Sequence, residues 1–584
     1  MQARLPDGRI YEAPPGTTVG DILKVAARDL GARERRETVA ALARPGQPPR
    51  PPSETAGWLA MGAVVNGKLR ELTTPLLVDV DVVPVTVVDN DGVRIYRRSL
   101  AFLMVTAAAE IFPDAAVFIE HSATTVGGYF CEVHGRPPFS QAELDQIERR
   151  MREIVAEDAP FVKAQVPLKA AIDLFRARGE EDKARLLAHR QKDTLIVYTL
   201  RGRQDYFQGY MVPSAGSLRH FGLHAFPPGF MLKFPHQSRP TELSPTRPYP
   251  KLFAVFEEAG HWLERLDIRS AGALNDAIVA GRLPEISLVA EALHEARIAR
   301  IAADIADRDR VKVVLVAGPS SSGKTTFAKR LAVQLLVNGR RPFALCLDDY
   351  FVDRDKTPRD ASGQYDYECL GALDLELFNE HLLLLAAGRA TQLPHYVFQT
   401  GRREVGPMVT LGADAIIIVE GIHGLNPALV PGLPPERVHR VYVSAITQLN
   451  LDRHNRVSTT DCRLVRRIVR DAASRGYTAT DTLRRWESVT RGEKQHIFPF
   501  QENSDAIFNA ALVHELAVLR PFAEPLLLQV RHGTREYLEA NRLLSFLQWF
   551  RPVPPDHVPD NSILREFIGS SILERFQLWP APQM

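Results

Sequence analysis

Val313-Val314-Leu315-Val316-Ala317-Gly318-Pro319-Ser320-Ser321-Ser322-Gly323-Lys324-Thr325 is the stretch on which the reading of this chain turns. Val313–Ala317 is an apolar, β-branched run of the length of a strand buried on both faces. Gly318–Thr325 matches G-x-x-x-x-G-K-[ST] in full. Beyond it Phe327, Ala328, Leu331, Ala332, Leu335 and Leu336 recur at helical spacing as far as Asn338-Gly339, a helix stop. In a strand–glycine loop–helix unit the backbone N–H groups curl inward, and the helix N-terminus adds positive partial charge. Lys324 can then reach the β- and γ-phosphates and the Thr325 hydroxyl can ligate Mg²⁺. The stretch predicts a nucleoside triphosphate site made by Gly318, Ser320, Ser321, Ser322, Gly323, Lys324, Thr325 and Thr326.

Outward from this unit, apolar runs at Val311–Ala317, Phe343–Leu347, Ala415–Val419, Val438–Val443 and, more weakly, Ala506–Phe508 alternate with helical patterns. That alternation predicts an α/β fold with a parallel sheet covered by helices on both faces. Ligands of such sheets bind at the carboxyl ends of the strands. Two acidic clusters stand there, Asp348-Asp349-Tyr350-Phe351 and Glu420-Gly421-Ile422-His423-Gly424. Carboxylates beside a phosphate loop suit two tasks: accepting a proton from an attacking hydroxyl, and holding Mg²⁺. Asp348 and Glu420 are the candidates for these, whereas Asp349 is read as a helix cap.

With 584 residues the chain has room for three or four domains. Its 45% hydrophobic and 24% charged content is that of a soluble globular protein. The formal net charge of +2 gives no argument for a nucleic-acid or membrane surface. Cys131, Cys346, Cys369 and Cys462 form no C-x-x-C pair and read as reduced thiols of a cytoplasmic protein, not as zinc ligands. The N-terminus carries no apolar signal core, and no apolar run is long enough to span a membrane.

Gly318–Thr326, Asp348–Phe351 and Glu420–Ile422 resemble the corresponding motifs of the uridine kinase and phosphoribulokinase group of P-loop kinases. The resemblance extends to Pro394-His395-Tyr396-Val397-Phe398 and to Arg463–Asp471, and covers roughly residues 310–530. It implies an ATP- and Mg²⁺-dependent kinase, with Asp348 as base at a nucleoside 5′-hydroxyl and Glu420 beside Mg²⁺. It also implies Tyr396 facing the nucleobase, Asp366 in the ribose region, and Arg403 as the arginine that follows this stretch in the family. Two positions depart from it. Val397 and Gly401 stand where uridine kinases place Asp and His. A site built on polar contacts discriminates strongly, so their loss should change the acceptor. Arg463, Arg466, Arg467 and Arg470 fall on one helix face and, with Arg475, fit a lid over the phosphates. Arg466 and Arg470 are the members expected to meet the transferring group.

Residues 1–88 resemble a TGS-type β-grasp domain. Pro6-Asp7-Gly8 marks a hairpin, Thr17–Asp21 starts a helix, and Val64-Val65-Asn66-Gly67 announces a second hairpin, followed by a strand-rich Val78–Val88. Arg44–Gly57, with five prolines, reads as an irregular excursion. Residues 89–240 are similar to the α+β editing domain of threonyl-tRNA synthetases through Arg97–Leu103, Ile111–Ala115, Gly127–Phe130, Arg136–Ser140 and Val212–Gly216. In that family two histidines, a cysteine and a further histidine line the pocket; here those places hold Arg98, Phe102, Phe207 and Met211. None of these is a zinc ligand of consequence, so the resemblance implies a domain without editing chemistry. His121 and His134 lie off the pattern and read as ordinary histidines.

The expected order is therefore TGS-like 1–88, editing-like 89–240, a helical linker 241–305 with two amphipathic helices (Leu252–Leu266 and Ile286–Ala306), a kinase domain 306–530 and a mostly helical tail 531–584. A kinase of a small hydroxylated molecule, with a nucleoside first, is the leading reading. The alternatives are a sugar or sugar phosphate as acceptor, and a regulatory ATP-binding protein that contacts RNA or the ribosome through its first two domains.

Overall fold

The computed structural model describes residues 1–29, 59–123, 127–245, 248–359, 363, 365–397, 399–447 and 449–576. Five parallel strands form the sheet that matters most here. Their order across the sheet is Arg341–Cys346, Ala415–Glu420, Val313–Ala317, Val438–Ser444 and Ala506–Asn509. Side chains alternate across a strand, and the central strand divides accordingly. Val314 and Val316 pack with Phe327 and Leu331 of the helix Lys324–Val337. Val313 and Leu315 pack with Phe378, Leu382 and Leu385 of the helix Leu375–Ala386 on the opposite face. Ile416 and Ile418 against Ile417 and Val419 repeat the division one strand away. The doubly covered parallel sheet is thus the structural outcome of the apolar runs.

The N-terminal strands form three further sheets. In the first, Gln2–Arg4, Ile10–Glu12, Ala60–Val65, Lys68–Arg70 and Val80–Thr86 surround the helix Val19–Asp29. Both hairpins form where turn residues predicted them, the second with Asn66 and Gly67 at φ of 46° and 75°. A four-stranded sheet (Ala116–Ala123, Gly128–His134, Gly222–Phe226, Gly229–Lys233) and a three-stranded one (Val162–Pro167, Thr194–Leu200, Arg203–Asp205) accompany the long helix Asn90–Ile111. Arg44–Gly57 lies outside the described residues.

Two sequence expectations fail here. The 241–305 stretch holds three helices, not two: Pro250–Arg265, Ala271–Val279 and Leu283–Ala306. The middle one was unreadable because Gly272 and Asn275 look like loop residues. Gly272 is there for close approach, since a Cβ would lie 2.6 Å from the Leu186 backbone nitrogen. The last of the three helices packs as its amphipathic face predicts, Ile298, Ile301 and Ile305 sharing one apolar core with Phe327 and Leu331. Among the described residues the tail is α-helical only at Arg535–Leu547 and the single turn Arg565–Ile568. Between them Pro552, Pro554, Pro555 and Pro559 lack the N–H a helix needs.

The two halves of the chain meet through a buried charged seam. Lys183, fully buried, pairs with Asp205 and, at 3.2 Å, with Glu180. The His454 Nδ1 lies 2.8 Å from Asp205 Oδ2. The Tyr206 hydroxyl donates to Asp452, and Arg453 pairs with Asp182 at 2.6 Å. His454, Asp452 and Arg453 belong to the loop leaving the strand Val438–Ser444, which runs on into the helix Thr459–Ser474.

Candidate functional site

Register places the ends of three neighbouring strands together. Cys346 stands opposite Glu420, and Glu420 opposite Val316, two residues before Gly318. Gly318 admits no side chain: a Cβ would sit 1.9 Å from the Val443 carbonyl oxygen. Gly323 takes φ +88°, the left-handed conformation that lets the loop turn into the helix. Within the loop the Ser321 and Ser322 hydroxyls are buried without a hydrogen-bond partner among the described residues. Buried polar groups are rarely left so, and orphan hydroxyls in such a loop fit a site for phosphate oxygens.

Around the loop the expected charges assemble. The Lys324 ammonium donates to the Pro319 carbonyl at 3.0 Å. Desolvation lowers its pKa, opposed first by the Glu420 carboxylate. The Thr325 hydroxyl donates to Glu420 Oε1 at 3.0 Å. Burial raises the Glu420 pKa and Lys324 opposes the shift. Asp348 sits in the short 3₁₀ turn Leu347–Tyr350 just past its strand. Desolvation by the cleft walls, then the charge of Asp349, raise its pKa, while Lys324 pulls it down. The Thr325 hydroxyl and the Glu420 and Asp348 carboxylates are hard oxygen donors of the kind Mg²⁺ takes.

Asp349 is no helix cap. Its Oδ1 accepts the Tyr396 N–H at 3.1 Å and faces His395 Nδ1 at 3.1 Å, tying the site to the hairpin Thr391–Val397/Arg402–Val409. Tyr396 is buried against Phe351, ring centroids 5.6 Å apart, so it presents no open stacking face in this conformation. Arg403 pairs with Asp374 at 2.8 Å, and Asp366 Oδ1 accepts the Glu368 N–H at 3.1 Å. Gly401, in the place of the missing histidine, has φ +70°, and the Arg354 side chain fills the space a Cβ would enter.

The helix Thr459–Ser474 corrects the lid expectation. Arg466 has no exposed surface; it pairs with Glu515 and donates to the Ala510 carbonyl at 2.7 Å. In this arrangement it is held by protein partners, away from solvent. The four arginines do share one helix face about 100° wide, but Arg466 and Arg467 stand at opposite edges of it and meet different partners. Arg467 and Arg463 are the ones that reach the loop, Arg467 donating to the Ser320 hydroxyl at 2.7 Å and Arg463 to the Ser320 carbonyl at 3.1 Å. Arg470 pairs with Asp471 at 2.9 Å and its charge reaches Lys324. Arg463 is buried too, but bridges to the site by holding Glu493 through both nitrogens, at 2.5 and 2.8 Å.

Two loop contacts were not foreseen. Glu493 accepts the Ser320 N–H at 2.8 Å, and Glu566 accepts both the Thr326 N–H at 3.1 Å and the Thr326 hydroxyl at 2.9 Å. Neither glutamate stands in a motif, and no local signal could have marked them.

In the editing-like region Phe102 and Phe207 pack with ring centroids 5.3 Å apart. Arg98 donates to the Tyr210 carbonyl at 2.6 Å, and Met211 is buried beside the Ser99 hydroxyl. The four replaced positions thus fill one another's space with carbon and a guanidinium. His121 is an ordinary core histidine, stacked on Phe256 with ring centroids 3.6 Å apart and its pKa pushed down to about 3 by burial.

Residues 313–517 match the family model described as the Phosphoribulokinase / Uridine kinase family. The N-terminal region matches threonine–tRNA ligases. That of Desulforamulus reducens is 30% identical over 224 residues, 38% of this chain and 31% of the relative. That of Burkholderia orbicola is 33% identical over 165 residues, 28% of this chain and 26% of the relative. The chain therefore spans less than a third of the length of these relatives. Among solved structures, a possible uridine kinase from Bacillus stearothermophilus is 20% identical, covering 34% of this chain and 88% of its own at a TM-score of 0.24. A D-glycerate 3-kinase from Cryptococcus neoformans is 17% identical, covering 45% and 89% at a TM-score of 0.20.

Proposed function

We propose, from a C-terminal domain of the phosphoribulokinase and uridine kinase family, that this chain transfers the γ-phosphoryl group of ATP to a hydroxyl of a small molecule. The observation that carries the proposal is the juxtaposition at the strand ends. Lys324, the Thr325–Glu420 pair and Asp348 gather at the strand ends beside a loop with two buried orphan hydroxyls. Asp348 accepts the proton of the attacking hydroxyl. Lys324, Arg467 and Arg470 hold the phosphates in line and meet the charge that develops. Thr325 and Glu420 would hold Mg²⁺, which neutralises phosphate charge when bound. The N-terminal region supports contact with RNA as a secondary role, since it matches tRNA ligases.

A nucleoside is the first acceptor to test. A second reading, a sugar or sugar phosphate, is favoured by one observation: the Arg354 side chain fills the space beside Gly401 where the family's histidine would project. Changing a polar acceptor contact changes which substrate is accepted. The test is ADP release by the purified protein with nucleosides, sugars and sugar phosphates offered in turn. Acceptor-dependent release that vanishes in Asp348→Asn supports the proposal. Nucleotide binding with no acceptor stimulating release would instead favour the regulatory alternative.

A further inference from the structure

We propose that the C-terminal segment around Glu566 is an autoinhibitory strap: its carboxylate occupies the seat of a nucleotide phosphate on Thr326, and ATP must displace it to bind. The proposal rests on the reading of Gly318–Thr326 as a nucleotide site. The helix Lys324–Val337 makes its first backbone bond from Phe327 to Gly323. The N–H groups of Lys324, Thr325 and Thr326 are therefore among the donors a helix start leaves for an anion. Glu566 Oε2 takes one of them, the Thr326 N–H at 3.1 Å, and the Thr326 hydroxyl at 2.9 Å as well. An anion from the chain's own end thus sits where the loop should cradle phosphate.

The contact is built, not incidental. Ile563 lies directly against the loop, so that a Cβ on Gly323 would be 2.5 Å from its Cγ2. Lys329, one turn along the same helix, donates to the Leu573 carbonyl at 2.7 Å. Ile563, Leu564 and Phe567 are buried. The Arg466 guanidinium covers the Phe567 ring, 5.0 Å from its centroid. Arg565 fastens the segment to itself by donating to the Val558 carbonyl at 2.6 Å and the Pro555 carbonyl at 3.2 Å. The Glu566 carboxylate also reaches the rest of the site, adding its charge to those acting on Lys324 and Glu420. A phosphate and this carboxylate carry the same sign and need the same two donors, so they exclude each other.

ATP·Mg²⁺ titrations of the full chain test this. A strap closed about 90–99% of the time lowers apparent affinity about 10- to 100-fold, and Glu566→Gln should recover that factor. The gain should persist when Lys324→Ala is added, because the closed fraction multiplies whatever intrinsic affinity remains. In the wild-type protein, saturating ATP should increase hydrogen exchange in residues 562–574, a readout that needs no variant. Equal ATP affinity in wild type and Glu566→Gln, with Lys324→Ala weakening both, would overturn the strap and leave the nucleotide site standing. So would unchanged exchange at saturation. Weaker binding by Glu566→Gln would overturn it by making Glu566 part of the seat. No ATP binding by either protein removes the nucleotide site itself, and the strap with it.

Discussion

Arg463 holds Glu493 with two guanidinium nitrogens, and the carboxylate so fixed accepts the backbone N–H of Ser320. Both side chains are buried. Removing one member of a buried pair costs about 3–5 kcal/mol, because the other charge is left uncompensated. Arg463→Met should lower the Tm, and Arg463→Met with Glu493→Leu should recover much of the loss. Thermal melts of the two variants check this.

Arg466 and Arg467, adjacent in sequence, should fail in different ways. Arg466→Met strands the buried Glu515 and should lower the Tm without a specific effect on phosphoryl transfer in protein that remains folded. Arg467→Ala should leave the Tm nearly unchanged and reduce turnover by about 10², the worth of one electrostatic contact to a developing charge. A large turnover defect in fully folded Arg466→Met would restore it to the lid.

Asp348→Asn keeps the size of the side chain and removes the proton acceptor. Turnover should fall by about 10²–10⁴, with ATP affinity close to wild type. Measuring both on one preparation separates a base from a metal ligand, since loss of a metal ligand weakens nucleotide binding too. Lys324→Ala should cost about 10²–10³ in turnover.

The pH profile carries a signed expectation. Desolvation and then the Asp349 charge raise the Asp348 pKa, so the proton acceptor is lost at a higher pH than for an ordinary aspartate. Turnover should be complete well above that raised pKa and fall as pH drops through it. Asp349→Asn removes one raising cause and should move the acid limb to lower pH. A limb that moves upward in Asp349→Asn would rule Asp348 out as the titrating group.

The editing-like region should hold no stoichiometric zinc at Arg98, Phe102, Phe207 and Met211, and should not deacylate seryl-tRNA. Packing of Phe102 on Phe207 leaves no donor set there. Elemental analysis and a deacylation assay on the full chain would each contradict this by a positive result.

What could be read from sequence was whatever repeats locally. The alternation within Val313–Ala317 and Ala415–Val419 encoded which residues face which layer, and Asp348 and Glu420 were found because they end strands. Contacts made across long sequence distances were silent. Glu493 and Glu566 reach the loop from 173 and 240 positions away, and nothing near them in the chain says so. The helical spacing of Arg466 is real, but burial of a guanidinium depends on whether a partner such as Glu515 waits there, which periodicity does not encode. The helix Ala271–Val279 was hidden for a related reason, its glycine serving the approach of another segment.

The seam of Lys183, Asp205 and His454 has an evolutionary consequence. A charge deep inside is costly to leave alone, so a change at His454 on one side calls for an answering change at Lys183 or Asp205 on the other. The halves cannot be reshuffled as interchangeable cassettes, and cutting the gene at residue 306 would strip His454 and Asp452 of partners supplied by the first half. Each half expressed alone should therefore melt at a lower temperature than the full chain.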